Sequence, residues 1–416
     1  MKEYSSPRPA GYLLTKIGLL AILAGLLLAA WNNQIAIAIV LGLILSAAGF
    51  TRLWSRLSIS GISCERLLTN QRAFTGESIE FKLRLINRKL LPLPWVQVDD
   101  EVPLGFASDL TTENATRPGF GLLTKNMSLL WYSANSWRCK LYFNKRGYYR
   151  LGPIKITTGD IFGFYPRSIT ESSSDHIIVY PVIYPIERLG IPSLYPLGES
   201  LAERRIFEDP SRILGLRDYS PGDSLKRIHW KATARHQNLQ VKLFEPTTTH
   251  QVILFLAVDS FRNQEDEDNE EFELGISTAA SIASYLTDYS NPVGIYINTR
   301  LADSGQSIKI PPGTGMTQLV HILESLAKMT HNTSIGFDKF LQEERRGLPY
   351  GSTIIFIVAE PPVHLDGLLA DLKESGYKIM VLQINNEAEA SKYNTFAWYH
   401  IKHPDHLKKI GTGKLD

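Results

Sequence analysis

Two apolar runs near the amino terminus constrain this chain more than any other sequence feature. The first covers residues 11–31, where only Thr15 and Lys16 are clearly polar, and the second covers residues 35–50 with one serine inside it. At about 1.5 Å of rise per residue, each run approaches the length of a bilayer crossing. The sequence therefore predicts two transmembrane spans, at about residues 11–31 and 34–54.

A cleavable signal peptide is the alternative for the first run, because Leu28, Ala29 and Ala30 place small residues after an apolar stretch. The second run follows at once, which favours a two-helix transmembrane hairpin over residues 1–56. Basic residues flank the pair of runs, whereas residues 32–34 between them carry no charge. The positive-inside rule then predicts a two-pass protein of the cell membrane, with both termini and the soluble domains in the cytoplasm.

The remainder of the chain is polar and nearly neutral, which limits its function classes. The whole chain has 416 residues, which are enough for two or three domains. With 44 Lys and Arg residues against 42 Asp and Glu residues, no global field attracts nucleic acid. Cys64 and Cys139 allow at most one bridge and cannot form a disulfide framework. Any preference for a charged partner must therefore be local.

Alternating strands dominate residues 57–185. Apolar residues at 79, 81, 83 and 85 alternate with charged residues at 80, 82 and 84, and residues 137–144 repeat the pattern. A period of two residues is that of a half-buried strand. This part of the chain is therefore predicted to be an antiparallel β-sandwich, immunoglobulin-like in outline, which serves as a spacer or a binding module.

Residues 251–416 change to a pattern in which short apolar runs alternate with helical stretches. Such alternation predicts an α/β domain with a doubly wound parallel sheet, whose ligands bind at the carboxyl ends of the strands. Asp259 and Glu360 each follow an apolar run and are expected at that edge. The runs are residues 252–258, 293–297, 354–359 and 378–384, and the clearest helical stretches are residues 271–289 and 365–374.

A basic segment, residues 186–250, joins the two soluble halves. Residues 203–242 hold nine Lys and Arg residues against five acidic residues. Pro221 and Gly222 predict a turn, and Asp223 is a good N-cap for a following helix. The expected buried face of that helix is Leu225, Ile228, His229 and Ala232, and the expected basic face is Arg227, Lys231 and Arg235.

This segment resembles the signature of the bacterial family called "domain of unknown function fifty-eight". The matching residues are the run from Arg217 to Asp223, the run from Ile228 to Ala232, Ala234 and Arg235, with Leu239, Val241 and Phe244 beyond. Further matches lie at Arg146, Gly147, Tyr149, Leu151 and Gly152, at Gly159, Asp160, Phe162 and Gly163, and at Val179, Tyr180 and Pro181.

The resemblance implies two membrane spans and a von Willebrand factor A-like domain. Members of the family are commonly encoded beside MoxR-type AAA+ ATPases and transglutaminase-like membrane proteins, so it also implies those partners. For Arg217 and Asp223, an ion pair that holds the turn and a surface that recognises a partner both stay open. The expected partner-binding or signature residues are Arg217, Tyr219, Gly222, Asp223, Arg227, His229, Trp230, Lys231 and Arg235.

A working metal site in a von Willebrand A domain has an Asp-x-Ser-x-Ser run, because Mg²⁺ prefers hydroxyl and carboxylate oxygens. This chain departs from that pattern, since Phe261 and Asn263 replace the two serines after Asp259. Thr314 and Glu360 are the other weak ligand candidates. A strand-end cap is therefore favoured over a Mg²⁺ site, and no cofactor is expected.

These observations predict a membrane-anchored cytoplasmic adaptor or scaffold that binds a protein partner in the assembly or remodelling of envelope complexes. The alternative is a metal-dependent hydrolase that uses Asp259 and Glu360. No serine or cysteine nucleophile stands in an elbow motif, so His229 and Trp230 are expected to be packed rather than catalytic. Nucleic acid is not expected at the basic face, because exposed aromatic residues do not interleave with the charges. Anionic lipid stays open there.

Overall fold

The chain is a multidomain protein of mixed α/β structure with two compact units, Met1–Val182 and Ile183–Asp416. Their architecture comes from a computed structural model. It describes residues 2–4, 15–103, 119–171, 175–190, 207–220, 228–236, 238–247, 251–261, 269–333, 335–362, 365–384 and 396–410.

Two apolar helices open the first unit, α1 at Lys16–Trp31 and α2 at Ile35–Ser58. The helix α2 is long and apolar enough to cross a membrane, whereas the apolar part of α1 is shorter. The two helices approach closely, because a Cβ at Gly25 would lie 3.5 Å from Leu41 Cδ1. Most of their large apolar side chains are exposed, which is unlike the core helix of a soluble protein. A membrane anchor near the amino terminus accounts for that exposure.

The carboxyl-terminal turns of α2 pack on a β-sandwich. Thr51, Ser55 and Ser58 are buried, and their spacing of four and three residues puts them on one helix face. The Ser55 hydroxyl donates a hydrogen bond to the carbonyl of Tyr165 and accepts one of 3.2 Å from Arg167 Nε. The helix and the sandwich therefore form one body.

The sandwich has one five-stranded sheet and two three-stranded sheets around a shared apolar core. The strand orders are β1-β10-β9-β5-β6, β2-β4-β7 and β3-β11-β8, and only the β3–β11 pair is parallel. The alternation predicted at residues 79–85 is confirmed in β4, where Phe81, Leu83 and Leu85 are fully buried. The strands are β1 Lys2–Tyr4, β2 Ile62–Leu68, β3 Arg72–Phe74, β4 Ser78–Asn87, β5 Leu93–Pro103, β6 Phe120–Leu129, β7 Ala134–Tyr142, β8 Gly147–Leu151, β9 Ile154–Thr158, β10 Arg167–Glu171 and β11 Asp175–Tyr180.

A buried ion pair fastens β2 to β5 and β11. The Arg66 guanidinium donates to both oxygens of Asp100 and, over 2.6 Å, to Asp175 Oδ2. The side chains of Arg66 and Asp100 are wholly inaccessible to solvent. Burial raises the pKa of Asp100 to about 6, and the neighbouring Arg66 opposes that rise. At neutral pH the pair is therefore ionised, and neither partner can be removed without leaving a buried charge.

Removal of the Asp100 charge should destabilise the first unit strongly. We expect Asp100→Asn to lower the free energy of unfolding by about 3–5 kcal/mol, because Arg66 keeps only Asp175. Thermal unfolding of the purified full-length protein in detergent measures the change. The control is Glu80→Gln, which breaks an exposed pair with Lys140 and should leave the midpoint nearly unchanged. Equal midpoints for both variants would contradict a structural role for the buried pair.

The two cysteines lie in the sandwich core as free thiols. Burial is the main cause that raises the pKa of Cys64 to about 12 and that of Cys139 to about 11. Since the thiolate is the reactive form, we expect neither thiol to react with iodoacetamide at pH 8 in the folded protein. Mass spectrometry should show no modification before unfolding and two modifications after it.

The second unit is built on a largely parallel sheet of strand order β17-β16-β15-β19-β20-β21. Counted along the chain these strands read 3-2-1-4-5-6, and β17 alone on this path runs antiparallel. The four predicted apolar runs are confirmed as β15, β16, β19 and β20. The strands are β12 Arg188–Leu189, β13 Phe207–Asp218, β14 Gln240–Thr247, β15 Val252–Leu256, β16 Val293–Leu301, β17 Ser307–Gly313, β18 Met329–Thr333, β19 Thr353–Val358, β20 Lys378–Ile384, β21 Ala397–Ile401 and β22 Lys409–Ile410.

Helices cover both faces of this sheet. Ile253 and Phe255 of β15 share a core with α6 and α7. The alternate residues Leu254 and Leu256 are equally buried on the other face, where α4 lies against the sheet. The helices are α3 Trp230–His236, α4 Glu270–Asp288, α5 Met316–Lys328, α6 Phe337–Glu344 and α7 Leu365–Glu374, with short 3-10 turns at Val258–Ser260, Arg345–Gly347 and Pro404–Lys408.

Candidate functional site

The basic segment folds as a small module, which we call the signature module: β13, α3, β14 and the described residues between them. The strands β13 and β14 pair antiparallel, with Arg217 opposite Val241 and Asp218 opposite Gln240. Ile228 forms an isolated bridge with Val241, and both side chains are buried. The module therefore has its own apolar contacts beneath α3.

Hydrogen bonds from the signature residues hold this module together. The amide of Tyr219 donates to the carbonyl of Leu239 over 2.9 Å, and the amide of His229 donates to that of Gln240 over 2.8 Å. The His229 imidazole accepts a 3.1 Å hydrogen bond from the amide of Ala232 and so caps α3. The Gln240 side-chain amide donates to the Asp218 carboxylate. His229 thus has a structural role, as the sequence predicted.

Trp230 corrects the sequence prediction, because it is 68% exposed and not packed. The helix α3 begins at Trp230, so the predicted buried residues Ile228 and His229 precede it. Ile228 and Ala232 are the buried positions, and the chain between them turns Trp230 outward. The argument against nucleic acid at the basic face assumed no exposed aromatic residue there, and the exposed Trp230 departs from that assumption.

Several basic signature residues are exposed on the same module. Arg217, Lys231 and Arg235 are exposed, and Arg217 Nη1 donates to the carbonyl of Asp218 over 3.1 Å. Leu216 and Leu239 are also exposed. Tryptophan and arginine are enriched at protein interfaces, and both residue types are exposed on this module. Gly222, Asp223 and Arg227 lie outside the described residues.

The second candidate region is the carboxyl edge of the sheet, where Asp259 follows β15. Its Oδ1 accepts a 2.8 Å hydrogen bond from Asn298 Nδ2, and its Oδ2 accepts one of 2.8 Å from the amide of Phe337. Phe337 is the first residue of α6, so Asp259 caps that helix with a negative charge. Asn298 also donates to the carbonyl of Ile335 and accepts from the amide of Val258.

Ser260 and Phe261, which follow Asp259, also make contacts within the fold. The Ser260 hydroxyl donates to the carbonyl of Ala257 and accepts from the amide of Ala359, and these contacts tie β15 to β19. Phe261 is buried against Phe272, with ring centroids 5.2 Å apart. Phe261 therefore places a buried aromatic ring at the position where a metal site has its first serine hydroxyl.

Thr314 does not join Asp259 and Glu360, the other two weak metal candidates. Thr314 follows Gly313, which pairs with Val293 at the amino end of β16. Asp259 and Glu360 lie instead at the carboxyl ends of β15 and β19, because β17 runs antiparallel and returns the chain to the opposite edge. Among the described residues, no three His, Cys, Asp or Glu side chains are grouped to hold a metal. The residues present do not fit a Mg²⁺ site.

Asn298 is the residue of this edge that sequence reasoning missed. It ends the apolar run 293–297 and is fully buried. Its amide group lies between the Asp259 carboxylate and the carbonyl of Ile335, and it donates to both. A polar residue directly after the apolar run 293–297 was the available signal.

Substitution of Asn298 tests this account of the sheet edge. We expect millimolar Mg²⁺ to leave the unfolding midpoint of the wild-type protein unchanged, since Asp259 is satisfied by N–H donors. Asn298→Asp should lower the free energy of unfolding by about 1–3 kcal/mol, because it removes a donor and adds a carboxylate beside Asp259. A Mg²⁺-dependent rise in the wild-type midpoint would overturn this account.

Comparisons with known proteins agree with the signature. Residues 215–350 match the family model described as protein of unknown function DUF58. The uncharacterized protein YeaD of Bacillus subtilis (strain 168) is 22% identical over 289 residues, which are 69% of this chain and 67% of YeaD. The chain therefore carries a match to the DUF58 family model over residues 215–350, the part that contains most of the signature.

Solved structures give only weak similarity. The CARDB domain of a Pyrococcus furiosus protein, crystallised with metal ions, is 11% identical with a TM-score of 0.20 and covers 28% of this chain and 91% of that one. Spo0M, a sporulation control protein of Bacillus subtilis, is 10% identical with a TM-score of 0.19 and covers 29% of this chain and 50% of its own. Scores this low establish no common fold.

Proposed function

We propose that this protein is a membrane-anchored adaptor whose signature module binds a protein partner. The observation that carries the proposal is the exposed Trp230. Lys231 is beside it in the chain and Arg217 lies on β13, and both of these basic residues are exposed. Tryptophan and arginine supply most of the binding energy at protein interfaces, and burial of one aromatic side chain removes about 150–250 Å² from water. Because Trp230 is 68% exposed, most of its side chain is available to a partner.

The anchor in this proposal is a two-pass hairpin of α1 and α2, with both termini and the soluble domains in the cytoplasm. The length and exposed apolar surface of α2 support it, as does the uncharged connection at residues 32–34. At about 1.5 Å per residue, α1 spans about 24 Å, which is shorter than a hydrocarbon core of about 30 Å. The anchor therefore depends chiefly on α2.

The second unit in this proposal is a von Willebrand A-like domain that does not use a metal. Its strand order 3-2-1-4-5-6, with an antiparallel third strand, supports the assignment. In such a sheet the crevice lies where the order reverses, between β15 and β19. The carboxylate of Asp259 is occupied there by Asn298 and α6. A metal-dependent hydrolase is therefore not favoured. In this proposal the partner binds to the signature module and not to the crevice.

The partner that we propose is a MoxR-type AAA+ ATPase, with a transglutaminase-like membrane protein as a further component of the same assembly. The family resemblance supplies these identities, and the basic residues of the module fit an acidic surface on the partner. In this role the protein localises an ATPase at the membrane for the assembly or remodelling of envelope complexes.

Loss of the exposed indole tests the proposal. We expect Trp230→Ala to weaken binding of the full-length protein in nanodiscs to the purified MoxR-type ATPase of the same genome by about 30-fold, which corresponds to about 2 kcal/mol. Biolayer interferometry gives the dissociation constants. Arg217→Ala and Lys231→Ala should slow association and reduce its dependence on salt.

The matched control is Tyr289→Ala, which removes another exposed aromatic side chain of the second unit, outside the signature module. It should bind like the wild type. Circular dichroism must show that all variants are folded. Equal affinities for wild type and Trp230→Ala would remove the signature module from the interface, and no binding by any of the proteins would refute the ATPase as partner.

A further inference from the structure

Three loops of the sandwich meet at the end where α2 enters it. The strand register fixes this position: Ile62, just after α2, pairs with Asn87, and Leu93 pairs with Leu129. The end of β9 lies at the same place, because Thr158 pairs with Val96. The loops at residues 88–92, 130–133 and 159–166 are therefore neighbours of the carboxyl end of α2. We call this end of the sandwich the helix-proximal end.

The tips of these loops carry large apolar side chains that are 39–73% exposed. Exposed apolar groups that occur singly are ordinary, but a concentration of them at one end of a domain marks an interaction surface. Tryptophan and tyrosine are among them, and both residue types are enriched where membranes meet water. The residues are Leu90, Leu130, Trp131, Tyr132, Ile161, Phe162 and Phe164.

Hydrogen bonds to a buried carboxylate fix the loop at residues 159–166. Asp160 is buried, and its carboxylate accepts from the amides of Phe162, Phe164 and Tyr165 at 3.1, 3.2 and 2.7 Å. The rings of Phe162 and Phe164 stack outward with centroids 5.5 Å apart. The three hydrogen bonds to Asp160 therefore fix the backbone of this loop. The fixed backbone keeps the rings of Phe162 and Phe164 exposed.

Two of the loops are tied directly to α2. Lys89 Nζ donates to the carbonyls of Ser58, the last residue of α2, and of Ser60. Tyr132 donates its amide to the carbonyl of Lys89 over 3.1 Å. The contact of Ser55 with Tyr165 fixes the loop at 159–166 in the same way. Their distance from the apolar part of α2 is therefore fixed.

Cations surround the same junction. Arg52 and Arg56 lie on α2, and both lower the pKa of Arg167, after the larger effect of burial. Arg167 Nε also donates to the hydroxyl of Ser55, which lies between Arg52 and Arg56 on α2, so the three side chains share this junction. In the described part of the chain, no ion pair joins any of them to a carboxylate, whereas Arg88 pairs with Glu65 at 3.4 Å. An anionic group from outside the chain would complete the arrangement.

We propose that the helix-proximal end docks on the anionic surface of the bilayer that α2 crosses. The seven apolar side chains enter the interfacial region of the bilayer, and Arg52, Arg56 and Arg167 bind lipid phosphate groups. The continuity of this surface with α2 identifies the occupant, since residues 35–51 span about 25 Å and place Arg52 at the level of the headgroups. The inference rests on the proposed function only in that α2 spans the membrane.

Site-directed spin labelling of the full-length protein tests the docking. A nitroxide at Phe162→Cys is compared with one at Tyr142→Cys, which is exposed at the far end of the sandwich, opposite Ser78. Both cysteine variants carry the buried thiols Cys64 and Cys139, which stay unlabelled in the folded protein. The protein is placed in nanodiscs of phosphatidylcholine alone or with phosphatidylglycerol, without the proposed ATPase partner.

We expect the label at position 162 to collide with oxygen at least threefold more, and with a water-soluble nickel chelate at least threefold less, than the label at position 142. Added phosphatidylglycerol should increase this contrast in the wild-type background and leave it unchanged in Arg52→Gln/Arg56→Gln. Equal accessibility of the two labels would overturn the docking. A contrast without any effect of phosphatidylglycerol would overturn the role of the arginines.

Carbonate extraction of native membranes separates this inference from the anchor itself. Protein that stays in the membrane pellet, with both labels accessible to the nickel chelate, has a spanning α2 and no docked loops. Protein that is released by carbonate lacks the anchor, and the proposed function then fails together with the docking.

Discussion

The junction of α2 with the sandwich is the constraint on which the first unit depends. One part of α2 has apolar side chains that need lipid, and the last turns bury the hydroxyls of Thr51, Ser55 and Ser58. Buried hydroxyls need partners, and the Ser55 contact with the carbonyl of Tyr165 connects the helix to the sheet beside it. The sandwich therefore cannot turn freely about the helix. The orientation of every loop at its helix-proximal end follows from that attachment.

In the second unit, the carboxyl edge of the sheet satisfies its own polar groups. The Asp259 carboxylate accepts hydrogen bonds from the Asn298 side chain and from the first amide of α6. A carboxylate that already accepts two short N–H donors gains little from a cation that would displace them. The edge therefore stabilises the fold, and the proposed partner binding rests on the exposed side chains of the signature module.

Local patterns were read correctly from the sequence. The two-residue alternation of β4, the apolar runs of β15, β16, β19 and β20, and the helix at residues 365–374 all come from contacts between near neighbours in the chain. Trp230 and Thr314 were misplaced. The direction that Trp230 faces depends on where α3 begins against β14, and the edge on which Thr314 lies depends on the antiparallel return of β17.

The sequence by itself determined that an apolar segment must leave water, that strands precede the α/β unit, and that the chain carries the DUF58 signature. These properties depend on composition and on spacings of two to four residues, which are visible without a fold. Only the tertiary structure decided that Asn298 occupies the edge beside Asp259 and that three separate loops gather around the end of α2. Long-range strand pairing sets both arrangements, because register and strand direction decide which distant residues become neighbours.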